Sequence, residues 1–175
     1  MLDIVTDRLQ LRETVADDLN GLLPTYLSNP AFVEQNEGSE GEIGRYDLDR
    51  WQRDWQIQQM LPGTHRLGCY LKQDRTPVGF LDFLEAHEDG YPWLGALVID
   101  GGSHRQGFGS EAFQGLINYA GENMSWTTLR AGVKAVNEEG LAFLTHLGFR
   151  IARTGSERFA GGIQQFLVME YSIKQ

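Results

Sequence analysis

Residues 97–121 read LVIDGGSHRQGFGSEAFQGLINYAG: an apolar run, a polar loop, then a helical pattern with glycine at 107 and 109 where the helix opens. Glycine inside a helix costs roughly 1 kcal/mol relative to alanine, so two of them at this point suggest a steric requirement. The first N–H groups of a helix lack internal partners and carry the positive end of its dipole. A strand, a glycine loop and a helix start in that order can therefore receive an anion. A phosphate can reach the main chain where no Cβ stands in its way.

Three readings compete for this loop. GFGSEA satisfies the G-x-G-x-x-A dinucleotide fingerprint. However, that fingerprint opens almost directly from its strand, whereas Gly107 lies several residues beyond Asp100. The acid expected about twenty residues on is replaced by TTLRAG. A Walker A loop is excluded, because no Lys-Ser/Thr follows the glycines. A pyrophosphate site of another kind and a purely structural tight turn both remain.

The elements around the loop follow from periodicity. DRLQLR alternates as a half-buried strand. Thr14 then precedes a helix with Val15, Leu19, Leu22 and Leu23 on one face, broken near Pro24. Residues 28–44 are acidic and turn-rich and predict a mobile loop. RYDLDRWQRDWQIQQML predicts a second helix with Leu48, Trp51 and Trp55 on one face, stopped by Pro62-Gly63. HRLGCYLK, VGFLDFLEA and WLGALVID, joined by QDRTP and HEDGYP, predict an antiparallel meander. After the glycine loop come a helix, the strand TTLRAGV, the helix EEGLAFLTHLGF ending at Gly148, and two closing strands, IARTG and IQQFLVMEYSI. This order, with no repeat or linker, predicts one α+β domain over residues 1–175.

Composition limits the partners. A net charge of −9 leaves no excess of cations to neutralise nucleic-acid phosphates. No apolar run approaches a membrane span, and the opening MLDIVTDRLQLRE lacks the basic and apolar regions of a signal peptide. The single cysteine, Cys69, cannot form a disulfide within the chain and reads as a buried strand thiol. The expectation is a cytoplasmic enzyme or binding domain with no nucleic-acid or membrane partner.

Three separated segments carry a specific resemblance. LVIDGGSHRQGFGSEAF resembles the coenzyme-binding signature of the GCN5-related N-acetyltransferases, a strand followed by Q/R-x-x-G-x-G/A. TDRLQLRE resembles the start of the branch containing the ribosomal-protein N-terminal acetyltransferases. NEEGLAFLTHLGF resembles that family's second coenzyme-side segment. The resemblance spans most of the chain. It implies the acyl-CoA N-acyltransferase fold: a mixed, mostly antiparallel sheet of about seven strands flanked by helices. It also implies acetyl-CoA as cosubstrate, no metal, and direct transfer of acetyl to a primary amine of a small molecule or peptide in a ternary complex.

Carried over residue by residue, the family pattern assigns the pantetheine arm to the main chain of Leu97, Val98 and Ile99. It assigns the pyrophosphate to the amides of Arg105, Gln106, Gly107, Phe108, Gly109 and Ser110, and further contact to Asn137. Asn137 reads equally as a cap on the helix after it. The position expected to be Gln or Arg is His104. The amide of Leu97 or Val98 would hold the oxyanion.

The tyrosine that many relatives use as acid is replaced by Leu144, and a glutamate of some relatives by Gly132. Asp82 and Glu85 are then the candidates for proton transfer, on opposite faces of one strand, with Tyr70 and Tyr91 behind them. Those replacements motivate a rival reading, a non-catalytic acyl-CoA-binding or sensing protein. Trp51, Trp55, Glu34, Glu37 and Glu40 could form an aromatic, acidic mouth for a cationic amine. Apolar strand surface near residues 163–171 would permit a homodimer.

Overall fold

The computed structural model describes residues 1–38, 44–159 and 162–173. Eight strands form one mixed sheet in the order β1-β2-β3-β4-β5-β6-β8-β7. They are β1 (Asp3–Val5), β2 (Leu9–Glu13), β3 (Thr64–Leu71), β4 (Pro77–Leu84), β5 (Trp93–Ile99), β6 (Thr128–Lys134), β7 (Arg150–Phe159) and β8 (Gly162–Ser172). Among the described residues five helices accompany them: α1 (Leu19–Leu27), α2 (Pro30–Glu37), α3 (Leu48–Gln59), α4 (Phe108–Asn123) and α5 (Glu138–Leu147). The chain divides into two compact units, Met1–Phe83 with Ala96–Leu116, and Leu84–Gly95 with Ile117–Gln175.

In the first unit β1, β2 and β3 are antiparallel, with Ile4 opposite Leu11 and Leu11 opposite Cys69. Alternation along β2 buries Leu9 and Leu11, as a half-buried strand requires. The core is strongly aromatic. Tyr26 stacks on Trp51 at 5.4 Å, and Trp51 meets Phe80 edge-on at 5.3 Å, among Leu19, Leu22 and Val98. The stripe read from the sequence of α3 is real: Asp47 caps the helix by accepting from Arg50 N at 3.0 Å, and Trp51 is buried against α1. Cys69 is fully buried, and burial pushes its thiol well above the ordinary range.

Two sequence expectations need correction. The segment 28–44 contains α2, whose Pro30 sits in the first helical turn with φ already suited to a helix. Phe32 and Val33 of α2 pack on the aromatic core, and that tertiary packing prevails over the acidic, turn-rich composition. Helix α1 also continues through Pro24 to Leu27, because Leu22, Leu23 and Tyr26 are buried on either side of the proline. The mostly antiparallel sheet of about seven strands is as expected; the short β1, three residues long, adds an edge strand that shows no period.

In the second unit β5 runs parallel to β6, with Trp93 opposite Arg130 and Leu94 opposite Ala131. Strand β8 pairs antiparallel with both β6 and β7, and a bulge shifts the β7 register between Ile151 and Arg153. Leu129, Ala131, Val168, Met169 and Phe149 are buried there. Arg130 ties this unit's loops to its sheet: it donates to Glu170 at 2.6 Å and to Asp89 at 2.9 Å, and lies 3.7 Å above the Tyr91 ring. Ile163, at the start of β8, is exposed.

Candidate active site

The glycine loop begins where β5 ends. Asp100 N donates to Val78 O at 2.9 Å, and a Cβ on Gly79 would lie 2.0 Å from Val98 O, so β4 and β5 meet backbone to backbone. The Asp100 carboxylate accepts from Gly102 N at 3.0 Å and starts a short 3-10 turn, Gly101–Ser103. Two residues at the end of α1 fasten this turn. Ser28 Oγ accepts from Gly101 N at 2.8 Å, and Asn29 Nδ2 donates to Ile99 O at 3.0 Å. His104 Nε2 lies 2.9 Å from the same carbonyl, so that ring nitrogen carries a proton. The Ile99 carbonyl is thereby occupied by the loop's own anchors.

The chain then turns into α4 through two residues with positive φ, Arg105 at 60° and Gly107 at 83°. Gly107 O accepts the first helical bond, from Glu111 N at 3.0 Å. The amides of Phe108, Gly109 and Ser110 therefore lie in the first turn, where no residue of the helix can accept from them. Arg105, Gln106 and Gly107 are exposed, whereas Phe108 and Gly109 are buried.

An arginine that sequence reasoning passed over braces this turn. Arg8 donates from Nε to Glu111 Oε2 at 2.6 Å and from Nη1 to Gln106 O at 2.8 Å, and its guanidinium lies 4.5 Å from the centre of the Phe108 ring. A Cβ on Gly107 would stand 3.2 Å from Arg8 Nη2. Glu111 also accepts from Thr6 Oγ1 at 2.6 Å and from Arg8 N at 2.7 Å. Burial opposes ionisation of Glu111, but the bonds from Thr6 and Arg8 outweigh it and hold the carboxyl below its usual range. A carboxylate at the helix start is thus neutralised by Arg8 and does not repel an incoming anion. The only sequence hint was that Arg8 lies in the TDRLQLRE segment; the contact spans 103 residues.

The depressed Glu111 carboxyl has a consequence for stability. Its contribution is present above the unfolded glutamate range, about pH 4.3, and is lost as pH falls through the lower folded value. Glu111→Gln is expected to lower stability at pH 7 and to shrink the loss between pH 5 and 3. Urea unfolding at several pH values measures both effects. An unchanged pH slope would remove Glu111 from this role.

The two candidate carboxylates differ in their surroundings. Both oxygens of Asp82 accept from Arg66, at 2.8 Å from Nε and 2.6 Å from Nη2. Arg66 is itself buried, its guanidinium 4.3 Å from the Trp51 ring and 4.9 Å from that of Phe80. Glu85 is exposed, one residue beyond β4. Tyr70 is buried beneath the Arg12 guanidinium at 4.5 Å, and burial foremost, with the nearby Asp18, raises its phenol well above the ordinary value. Trp51 belongs to the core. Glu37 accepts from Tyr26 OH at 2.8 Å and from Arg50 at 3.3 Å, and Glu34 is exposed. Glu40 lies outside the described residues.

In the second unit Asn137 caps α5, its Oδ1 accepting from Gly140 N at 2.9 Å. A Cβ on Gly140 would lie 2.5 Å from Asn137 Nδ2, so glycine at 140 makes room for the cap. Leu144 is buried on the same helix, and Gly132 stands in β6 opposite Val168. Among the described residues no group of three or more His, Cys, Asp or Glu side chains could hold a metal ion, and no helix is long and apolar enough to cross a membrane.

Solved structures share this architecture over nearly the whole chain. A GNAT-family acetyltransferase from Bacillus anthracis superposes with a TM-score of 0.77 at 14% identity, covering 99% of this chain and all of its own. The acetyltransferase that modifies the N-terminal serine of ribosomal protein L7/L12 in Salmonella typhimurium gives 0.77 at 15% identity, covering 99% of this chain and 100% of its own. RimL, a ribosomal L7/L12 α-N-protein acetyltransferase solved with coenzyme A, gives 0.75 at 15% identity, with 98% of each chain covered. No curated protein matches by sequence. The acetyltransferase (GNAT) domain model matches residues 8–150, and on that match the chain belongs to the GNAT acetyltransferase family.

Proposed function

We propose that the protein transfers an acetyl group from acetyl-CoA to a primary amine of a small molecule or peptide, directly, in a ternary complex. The observation that carries this reading is the α4 start. First-turn amides, a glycine with φ of 83° and the Arg8 guanidinium converge on one exposed turn whose own carboxylate is already neutralised. Without a Cβ at Gly107, which would stand 3.2 Å from Arg8 Nη2, a pyrophosphate could approach both the main chain and that guanidinium. Phe108, Gly109 and Ser110 would hold it through their amides, Ser110 also through its hydroxyl, with Arg105 and Gln106 beside them.

When bound, acetyl-CoA supplies a thioester carbonyl open to attack and a thiolate leaving group. The main chain of Leu97 and Val98 would align the pantetheine arm, since both residues lie beyond the parallel register at Trp93 and Leu94. One of their amides would hold the oxyanion. Ile99 would contribute through its N–H, its carbonyl being engaged by Asn29 and His104. Asn137 fixes the start of α5. The resemblance of the fold to ribosomal-protein acetyltransferases supports a peptide N-terminus as one class of amine.

The attacking amine must lose a proton. Of the two carboxylates read from the sequence, we assign Glu85, exposed at the end of β4, to accept that proton and pass it to solvent. Water competes at an exposed site, so Glu85→Gln is expected to lower kcat/KM about tenfold, short of the usual hundredfold or more for general-base loss. Coenzyme A affinity should be unchanged. An unaltered pH–rate profile would assign the proton to water alone.

Thermal unfolding tests the cofactor. Coenzyme A should raise Tm progressively with its concentration by mass action, whereas NAD(H) and NADP(H) should not. A protein indifferent to coenzyme A would refute the assignment.

A further inference from the structure

Strand β7 ends the sheet. Its strand neighbour is β8, and among the described residues its other side pairs with no strand. Every second residue of such an edge aims its N–H and C=O away from the sheet, where another strand can meet them. The strand is exposed on both faces as well: residues 150–154, 156 and 158 are exposed and Gly155 is half-buried. The β6 ladder reaches Phe166, opposite Lys134, with one further bond from Ala135 N to Gln165 O. Beyond that point the hairpin has two strands only, an arrangement that is marginal without a third.

This edge carries a charge of its own. Of the 15 lysines and arginines in a chain of net charge −9, three stand in β7 as Arg150, Arg153 and Arg158, against one acid, Glu157. The bulge after Ile151 sets two of them on one face. Arg150 lies opposite Glu170 and Arg153 opposite Val168, two residues apart on β8. Arg158, opposite Ile163, takes the other face. Glu170 is already held by Arg130 at 2.6 Å. None of the three arginines is bonded to a carboxylate among the described residues.

Charge decides between the strands that could add here. A second copy docked edge to edge brings its own three arginines to the same seam, and like charges facing one another weaken a pair. A row of one sign that repels its own copy admits a strand of the other sign. Arginine suits carboxylates in particular, because its planar fork of donors spans both oxygens. In strand addition the main-chain bonds supply affinity, and alternate side chains supply the choice of sequence.

We propose that the outer edge of β7 takes an acidic, extended segment of a partner polypeptide as a further strand, its alternate carboxylates pairing with Arg150 and Arg153. The surface lies wholly within the second unit and does not rest on acetyl transfer.

The probe is a capped, fluorescent peptide of alternating threonine and glutamate, titrated with the full chain and read by anisotropy. A copy with lysine in place of glutamate reverses the charge. A copy N-methylated throughout keeps the charge but has no N–H to donate to the edge. Arg150→Gln with Arg153→Gln removes two exposed charges, and urea unfolding checks that the double variant keeps its stability. The expected result is saturable one-to-one binding of the acidic peptide, about tenfold weaker to the double variant and weakened by salt. The lysine and N-methylated copies should not saturate. Absence of saturable binding by the acidic peptide would overturn the proposal, as would equal binding by the double variant. Equal binding of the N-methylated copy would reduce the contact to charge alone and overturn strand addition. Sedimentation showing a dimer that the double variant alters would give the edge to a second copy, and the proposal would fall.

Discussion

Gly107→Val should weaken coenzyme A binding by roughly thirty- to a hundredfold, measured on protein that is still folded. A valine at φ of 83° is strained, and its Cβ would press on Arg8 Nη2 from 3.2 Å. The branched side chain would also stand where an anion must approach the amides that open α4. Two charge-assisted hydrogen bonds lost in this way amount to about 2–3 kcal/mol, which sets the expected factor. Backbone strain alone lowers stability by about 1–3 kcal/mol but leaves the affinity of the folded fraction intact. The two effects therefore separate: titration calorimetry well below Tm reads the site, and urea unfolding reads the strain. A stability loss with unchanged affinity would mean that the glycine serves the turn only.

The second large effect concerns Asp82. Removing it as Asp82→Ala leaves the Arg66 guanidinium buried between Trp51 and Phe80 without its counter-charge. Breaking one side of a buried ion pair costs about 3–5 kcal/mol. For a chain of this size that lowers Tm by roughly 6–20 °C. Replacing both partners together, Arg66→Met with Asp82→Leu, should recover most of the loss, because no uncompensated charge remains. Coenzyme A affinity of the folded Asp82→Ala protein should be unchanged. The opposite pattern, native Tm with turnover abolished, would return Asp82 to the role of proton acceptor.

The contrast between these two positions shows what a sequence can disclose. Gly107 was legible because its constraint is local: glycine tolerance of positive φ and a helix starting at the next residue are both written in adjacent letters. Asn137 was legible in the same way, three residues before the Gly140 amide it caps. Arg66 and Asp82 lie on β3 and β4, and nothing in either segment announces that the guanidinium occupies both carboxylate oxygens.

Arg8 was less accessible still. Its partners Gln106 and Glu111 are about a hundred residues away, so the brace exists only once β2 and α4 have packed. Helix α2 was hidden for a related reason. Its acidic, polar letters favour a turn, and the packing of Phe32 and Val33 onto the aromatic core decides otherwise. The succession β3-β4-β5 followed from patterning, since alternation and short turns specify a meander, whereas the parallel β5–β6 pair and the placing of β8 between β6 and β7 did not. Strand β1 did not, because three residues carry no period.

The absence of the expected tyrosine leaves the proton chemistry with fewer protein groups than many relatives use. Leu144 is buried on α5 and cannot donate, and Tyr70 is held under Arg12 with its phenol pushed upward. On the proposed direct transfer, positioning of the two reactants and oxyanion stabilisation would then supply most of the rate.

Amine-dependent release of coenzyme A thiol from acetyl-CoA, followed over a panel of N-terminal peptides, polyamines and amino acids, tests the central claim most directly. Thiol release should rise with at least one amine, saturate in both substrates and yield the N-acetylated product by mass. Tight coenzyme A binding with no amine-dependent release for any acceptor would contradict acetyl transfer and leave a protein that only binds the coenzyme.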